Sequence, residues 1–161
     1  MKLTTESTSK YFKEAEAKET LLKHYEANAP IESRKHNYTT GAIYTGTWKG
    51  GMRHGKGLMI WPDGARYDGN WSFNWACGQG KFIHTDGDTY EGEWANNKAN
   101  GQGTYQNVKG ARYVGKWKDD LQHGKGVETW PEGAKYEGDY VMSRKEGFGK
   151  YTWADGSTYE G

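Results

Sequence analysis

The chain has 161 residues, of which 24 are glycine; hydrophobic residues make up 34% and aromatics 15%, so the apolar content sits in rings and cannot fill a core of two facing aliphatic layers. Mean hydropathy is −1.09, yet 8 Trp and 12 Tyr exclude an ordinary disordered chain, and no apolar run exceeds Leu58 to Trp61, which excludes a membrane-spanning helix. Net charge is +1 from 22 basic and 21 acidic residues, favouring neither nucleic acid nor an anionic membrane, and a lone Cys77 fits a reducing, cytoplasmic setting.

Residues 1–9 read as disordered, and Met1-Lys2-Leu3-Thr4-Thr5-Glu6-Ser7 lacks the apolar stretch of a secretory signal. Residues 10–28 predict one α-helix, stopped by Pro30 and supported by the i,i+4 pairs Glu14/Lys18 and Glu19/Lys23. Its narrow apolar stripe of Tyr11, Ala15, Leu22 and Tyr25 is a candidate docking face for the first hairpin, for the groove described below, or for another protein. Residues 29–40 read as a linker and a degenerate capping strand, Arg34 to Thr40, because Tyr38 precedes Gly41 as Trp61 precedes Gly64. Such a strand would cover the first sheet edge.

From residue 41 a 23-residue period takes over. Gly41, Gly64, Gly87, Gly110, Gly133 and Gly156 recur without an insertion. Each is followed at fixed offsets by a tyrosine (Tyr44, Tyr67, Tyr90, Tyr113, Tyr136, Tyr159), a second glycine, and then Trp48, Trp71, Trp94, Trp117 or Tyr140. A Gly-x-Gly closes the unit, as in Gly55/Gly57 and Gly124/Gly126. Only Gly50 and Gly51 fall outside these slots. The 41–161 domain therefore holds five full repeats (41–63, 64–86, 87–109, 110–132, 133–155) and the start of a sixth, which suggests a piece of a longer protein.

Each repeat predicts a β-hairpin. Ala65 to Trp71 alternates small or aromatic with polar residues, the period-2 signature of a two-faced strand. A loop over Ser72 to Cys77 leads into a return strand over Gly78 to His84. Trp61-Pro62-Asp63-Gly64-Ala65 and Trp130-Pro131-Glu132-Gly133-Ala134 carry the residues of a three-residue hairpin loop, a type I turn closed by a left-handed glycine. Such loops, alternating with six-residue ones, pair Gly46 with Gly57 and Tyr44 with Met59 and put every periodic ring on one face. The expected fold is all-β: a single-layer antiparallel meander forming an elongated, curved solenoid about 48 Å long, preceded by one α-helix.

The unit Gly-x-x-Tyr-x-Gly-x-Trp followed by Gly-x-Gly, as in Gly110 to Gly126, resembles the MORN repeat (membrane occupation and recognition nexus) over residues 41–161. Departures are small: Tyr140 replaces Trp, and Cys77, Asn100 and Glu146 stand where His54 and His123 precede glycine. Such arrays occur in junctophilins, plant phosphatidylinositol phosphate kinases, a histone methyltransferase, ciliary radial spoke head proteins, and apicomplexan and trypanosome cytoskeletal proteins. The resemblance implies a non-catalytic module whose groove binds peptides or helices, with end-to-end dimerisation in some members.

Candidate chemistry is sparse. His54 and His123 share a slot three repeats apart, roughly 29 Å, so they cannot share a metal. Asp63, Asp86, Glu132 and Asp155 are explained by turn chemistry, and Gly55-Lys56-Gly57 lacks the helix of a phosphate loop. No cofactor and no metal is expected. Rings that a single-layer sheet leaves uncovered suit a partner, so the candidate groove residues are Tyr44, Trp48, Tyr67, Trp71, Tyr90, Trp94, Tyr113, Trp117, Tyr136 and Tyr140. The opposite face mixes Lys56, Arg66, Lys81, Arg112, Lys116, Lys125, Lys135 and Lys150 with Asp68, Glu91, Glu93, Glu137 and Asp139, a solvated surface rather than a polybasic one. The expectation is a protein-binding scaffold in a cytoskeletal or ciliary (axonemal) assembly, able to self-associate through its C-terminal sheet edge. The alternatives are a module for anionic phospholipid, regulatory to a lipid kinase domain elsewhere in a longer chain, and a choline-type ligand cage, which the period argues against. Nucleic acid is not an expected partner.

Overall fold

The computed structural model describes residues 11–12 and 29–161. Among these residues twelve strands form one antiparallel sheet whose spatial order is the sequence order. They are β1 (Ile31–Asn37), β2 (Ile43–Lys49), β3 (Met52–Ile60), β4 (Arg66–Ser72), β5 (Trp75–Ile83), β6 (Thr89–Ala95), β7 (Lys98–Gln106), β8 (Arg112–Lys118), β9 (Leu121–Thr129), β10 (Lys135–Val141), β11 (Arg144–Thr152) and β12 (Thr158–Glu160). Gly46 pairs with Gly57 and Tyr44 with Met59, as the repeat predicts. The three-residue loops also form: Gly64 has φ 93°, and its N–H reaches the Trp61 carbonyl at 2.9 Å.

The other loops are tighter than six residues. Gly50/Gly51, Phe73/Asn74, Asn96/Asn97, Asp119/Asp120 and Met142/Ser143 all have positive φ at both positions, which makes two-residue type I′ turns. Trp75 to Cys77 therefore belong to β5 rather than to a loop. The extra length is taken up by a β-bulge: the register shifts between Gly46 and Trp48, and Gly55 there has φ 88°. The two glycines left over from the periodic slots are thus a turn, and the first glycine of each Gly-x-Gly is a bulge.

These turns are knitted to one another. The second turn residue accepts, through its side chain, a backbone N–H from the preceding hairpin: Asn74 from Arg53 at 2.9 Å, Asn97 from Ala76 at 2.6 Å, Asp120 from Ala99 at 2.8 Å and Ser143 from Gln122 at 3.2 Å. Asn97→Ala is expected to cost about 1–2 kcal/mol, because it orphans a buried N–H and removes the short polar side chain that suits asparagine to left-handed backbone. Asn97→Asp, which keeps the acceptor as Asp120 does, is expected to be nearly neutral; urea unfolding of the two variants tests this.

The first strand differs in extent from the Arg34 to Thr40 reading. It runs Ile31–Asn37 and pairs fully with β2, while 39–41 form the turn, with Gly41 N–H bonded to the Tyr38 carbonyl at 2.9 Å. Tyr38 therefore occupies the slot of Trp61, just before a three-residue loop. Of the predicted 10–28 helix, Tyr11 and Phe12 are described and have helical backbone. Residues 1–10 and 13–28, including Ala15, Leu22 and Tyr25, lie outside the described residues, so a preceding helix is not part of the fold shown here.

Candidate functional site

The core of this sheet is a zipper of rings laid on glycine. Each periodic tyrosine folds across the glycines of its own hairpin and donates its hydroxyl to the carbonyl three residues on: Tyr44 to Thr47 at 2.9 Å, Tyr67 to Asn70 at 2.9 Å, Tyr90 to Glu93 at 2.8 Å, Tyr113 to Lys116 at 2.8 Å. Tyr136 does the same to Asp139 at 3.2 Å. Each tryptophan reaches back to the previous hairpin, Trp71 Nε1 donating to the Gly57 carbonyl at 3.1 Å and Trp94 to Gly80 at 2.9 Å. The rings then alternate edge to face along the sheet, as in Tyr67–Trp71 and Tyr67–Trp94, both 5.1 Å between centroids. This is the favoured geometry for ring quadrupoles.

Tyr140, in a tryptophan slot, lacks the indole N–H. Its hydroxyl instead donates to Glu128 Oε1 at 2.9 Å, and Glu128 stands where other repeats carry Met59, Phe82, Tyr105 or Tyr151. Two departures from the repeat thus compensate each other.

All ten groove residues named from the sequence are buried, none more than 7% exposed. They form the floor of the ring face. The rim along the hairpin ends is made by Trp61, Phe82, Tyr105, Trp130 and Tyr151, which pack against that floor. Into this trough go Tyr11 and Phe12 of the same chain. Phe12 is 1% exposed, with its ring 5.4 Å from Trp61, 5.4 Å from Tyr67, 5.8 Å from Trp71 and 5.6 Å from Trp94. Tyr11 lies 5.3 Å from Trp61 and 5.5 Å from Phe82, and its hydroxyl donates to Asp63 Oδ2 at 2.8 Å. That hydrogen bond, with the Ala65 N–H on the other oxygen, holds the Asp63 carboxyl below its ordinary range against the opposing effect of burial.

The sequence reading placed Tyr11 on a docking stripe and left out Phe12, Asp63, Trp61 and Phe82. The signal was the adjacent pair Tyr11-Phe12, which a search at helical spacing passes over. A buried arginine has no counterpart in the repeat pattern. Arg53, 1% exposed, lies 4.9 Å over the Trp71 ring and donates to the Tyr38 hydroxyl and to the Asn74 carbonyl. Ring faces supply part of what a carboxylate would.

Burial pushes the phenols of Tyr44, Tyr67, Tyr90, Tyr113 and Tyr140 well above their ordinary value of 10.0. Such groups stabilise the fold below the unfolded value and lose that contribution as pH rises. Stability is therefore expected to fall above about pH 10, with the tyrosinate absorbance of these five phenols appearing together with loss of β circular dichroism rather than before it. A non-cooperative titration of all the tyrosines, with no step at unfolding, would contradict the zipper.

His54 and His123 serve the loops. Each accepts a backbone N–H of the next turn through Nδ1, from Phe73 and Met142, both at 3.3 Å. Burial, with a smaller contribution from Lys49, lowers the His54 pKa. Burial likewise raises the Cys77 thiol, which disfavours the thiolate a nucleophile needs. On the opposite face charges alternate across strands, Asp68 facing Lys81, Lys81 facing Glu91, and Glu137 facing Lys150.

The MORN repeat family model matches five consecutive segments, 44–66, 67–89, 90–112, 113–135 and 136–158. No curated protein matches. Among solved structures, the SAS-4 (dCPAP) TCP domain of Drosophila melanogaster, in complex with a proline-rich motif of Ana2 (dSTIL), is similar at 15% identity. That match covers 85% of this chain and 81% of that one, with a TM-score of 0.45.

Proposed function

The chain belongs to the MORN repeat family, and on that premise we propose that it is a non-catalytic module that binds a protein segment by seating aromatic side chains in the trough of its ring face. One observation carries this reading: the trough already holds an aromatic pair, Tyr11 and Phe12, through ring contacts and the Tyr11–Asp63 hydrogen bond. A groove that accommodates such a pair from its own chain has the shape and chemistry to accommodate one from a partner, helical or extended. The periodic tyrosines and tryptophans give the trough its floor, where Tyr67, Trp71 and Trp94 meet Phe12; Trp61, Phe82 and Asp63 meet Tyr11. The alternating charges of the other face favour this reading over the anionic-phospholipid one, which wants a basic track. The setting we propose is a cytoplasmic one, a cytoskeletal or ciliary assembly, on likeness to family members built into such structures.

The test uses the Tyr11→Ala/Phe12→Ala chain, whose trough is open, titrated with a synthetic peptide copying residues 6–18. One peptide is expected to bind per chain and to shift tryptophan emission to the blue. No binding would overturn the receptor reading. For the setting, the tagged chain should stay with the detergent-insoluble axoneme or cytoskeleton of ciliated cells, and complete extraction would count against it.

A further inference from the structure

The surroundings of Tyr11 recur three periods along the sheet. Tyr11 rests against Trp61, Phe82 and His84, at 5.3, 5.5 and 5.9 Å, and donates to Asp63. Sixty-nine residues on from these four stand Trp130, Tyr151, Trp153 and Glu132. The turn Trp130-Pro131-Glu132-Gly133-Ala134 repeats Trp61-Pro62-Asp63-Gly64-Ala65 with one carboxylate exchanged for another. Its backbone is the same: Gly133 has φ 101° against 93° for Gly64, and both glycine N–H groups bond the tryptophan carbonyl at 2.9 Å. In the two intervening registers the ring set breaks, because Asn107 and Glu128 occupy its slots.

The neighbouring place, that of Phe12, is filled differently. Phe12 lies over Trp61 and Tyr67; their counterparts are Trp130 and Tyr136, and over these sits the Lys145 ammonium, 4.9 and 5.2 Å from the ring centroids. Glu128 steadies it from 4.0 Å. Among the described residues, none fills the tyrosine place itself. Trp130 and Tyr151 stack at 5.8 Å, Tyr151 meets Trp153 at 4.8 Å, and Trp153 is 46% exposed.

We propose that Trp130, Tyr151 and Trp153 form a second subsite of the same groove, which takes a tyrosine presented on a partner protein segment, its ring against the three and its hydroxyl donated to Glu132. This rests on the receptor reading above and extends it to a second point of attachment. The occupant differs from Tyr11-Phe12 in one respect: the residue after the tyrosine meets the Lys145 ammonium, so it is acidic rather than aromatic. The ligand is then a segment with tyrosine followed by aspartate or glutamate.

The probe is a synthetic peptide with the sequence of residues 6–18 carrying Phe12→Glu, added to the intact wild-type chain and followed through the indole N–H resonances of the tryptophans. Those of Trp130 and Trp153 are expected to shift while those of Trp61 and Trp71 stay. Glu132→Gln, a change at an exposed turn, should weaken the probe about tenfold, and so should Tyr11→Phe within the peptide. Lys145→Ala should reverse the preference, favouring the unaltered Tyr-Phe peptide. Absence of shifts at Trp130 and Trp153, or equal binding by Glu132→Gln, would overturn the subsite. If Phe12→Ala in the chain still moves the Trp61 and Trp71 resonances, the receptor reading survives that failure; if it moves neither, both fall.

Discussion

Gly80→Ala is expected to destabilise the sheet by about 3 kcal/mol, an overpacking cost at the upper end of the usual range. A Cβ at Gly80 would stand 2.5 Å from Cζ and 2.6 Å from Cε2 of Tyr67. That ring has no room to yield: it is fully buried, its hydroxyl is held by the Asn70 carbonyl, and Trp71 and Trp94 flank it. Gly64→Ala provides the contrast. Nothing lies within 4 Å of its added Cβ, so only the left-handed φ of 93° resists, at about 1–2 kcal/mol. Denaturant unfolding of both variants separates steric from conformational glycines. In a Tyr67→Ala background the Gly80→Ala penalty should shrink markedly, since the three atoms nearest the added Cβ all belong to that ring.

Phe12→Ala is expected to remove about 3–5 kcal/mol from the docking of the Tyr11-Phe12 pair, the usual cost of emptying a well-packed phenylalanine site. The loss falls on the trough rather than on the hairpins. Tryptophan emission should move to the red as Trp71 and Trp94 lose their cover, while amide exchange protection of β2 to β11 persists, because those strands are held by their own ladders and ring zipper. Asp63→Asn should have a smaller effect in the same direction, as it weakens one hydrogen bond to Tyr11. An unchanged emission spectrum on Phe12→Ala would mean that the pair does not sit in the trough in solution.

Much of this architecture is legible in the sequence because a strict 23-residue period leaves one register only. Slipping a hairpin by one residue would put Tyr67 and Trp71 on the charged face, so period, pairing and facing are read together. The three-residue loops were legible because Pro62, Asp63 and Gly64 each have a turn role. The two-residue turns were not. Phe73-Asn74 and Met142-Ser143 carry no glycine, and their left-handed backbone is held by bonds with the preceding hairpin, where the Arg53 N–H donates to the Asn74 side chain and the Gln122 N–H to that of Ser143. A contact 21 residues away does not show in a local pattern.

The groove was half legible. Its floor is periodic and could be counted; the rim residues that meet Tyr11, among them Trp61 and Phe82, stand in slots that vary. Slots holding Trp61, His84, Asn107, Trp130 and Trp153 vary from repeat to repeat, and this variation breaks an otherwise uniform surface into distinct places. Phe12 lies outside the period altogether, and only three dimensions bring it to Trp94.

The most direct test of the receptor account is a nuclear Overhauser measurement on the intact chain with ring-labelled phenylalanine, the Phe12 signals being assigned by their loss in Phe12→Leu. Cross-peaks from the Phe12 ring to the indoles of Trp71 and Trp94, with strongly ring-shifted Phe12 resonances, are the predicted result. Random-coil Phe12 shifts with no such cross-peaks would contradict the claim that this ring face is a receptor for aromatic side chains.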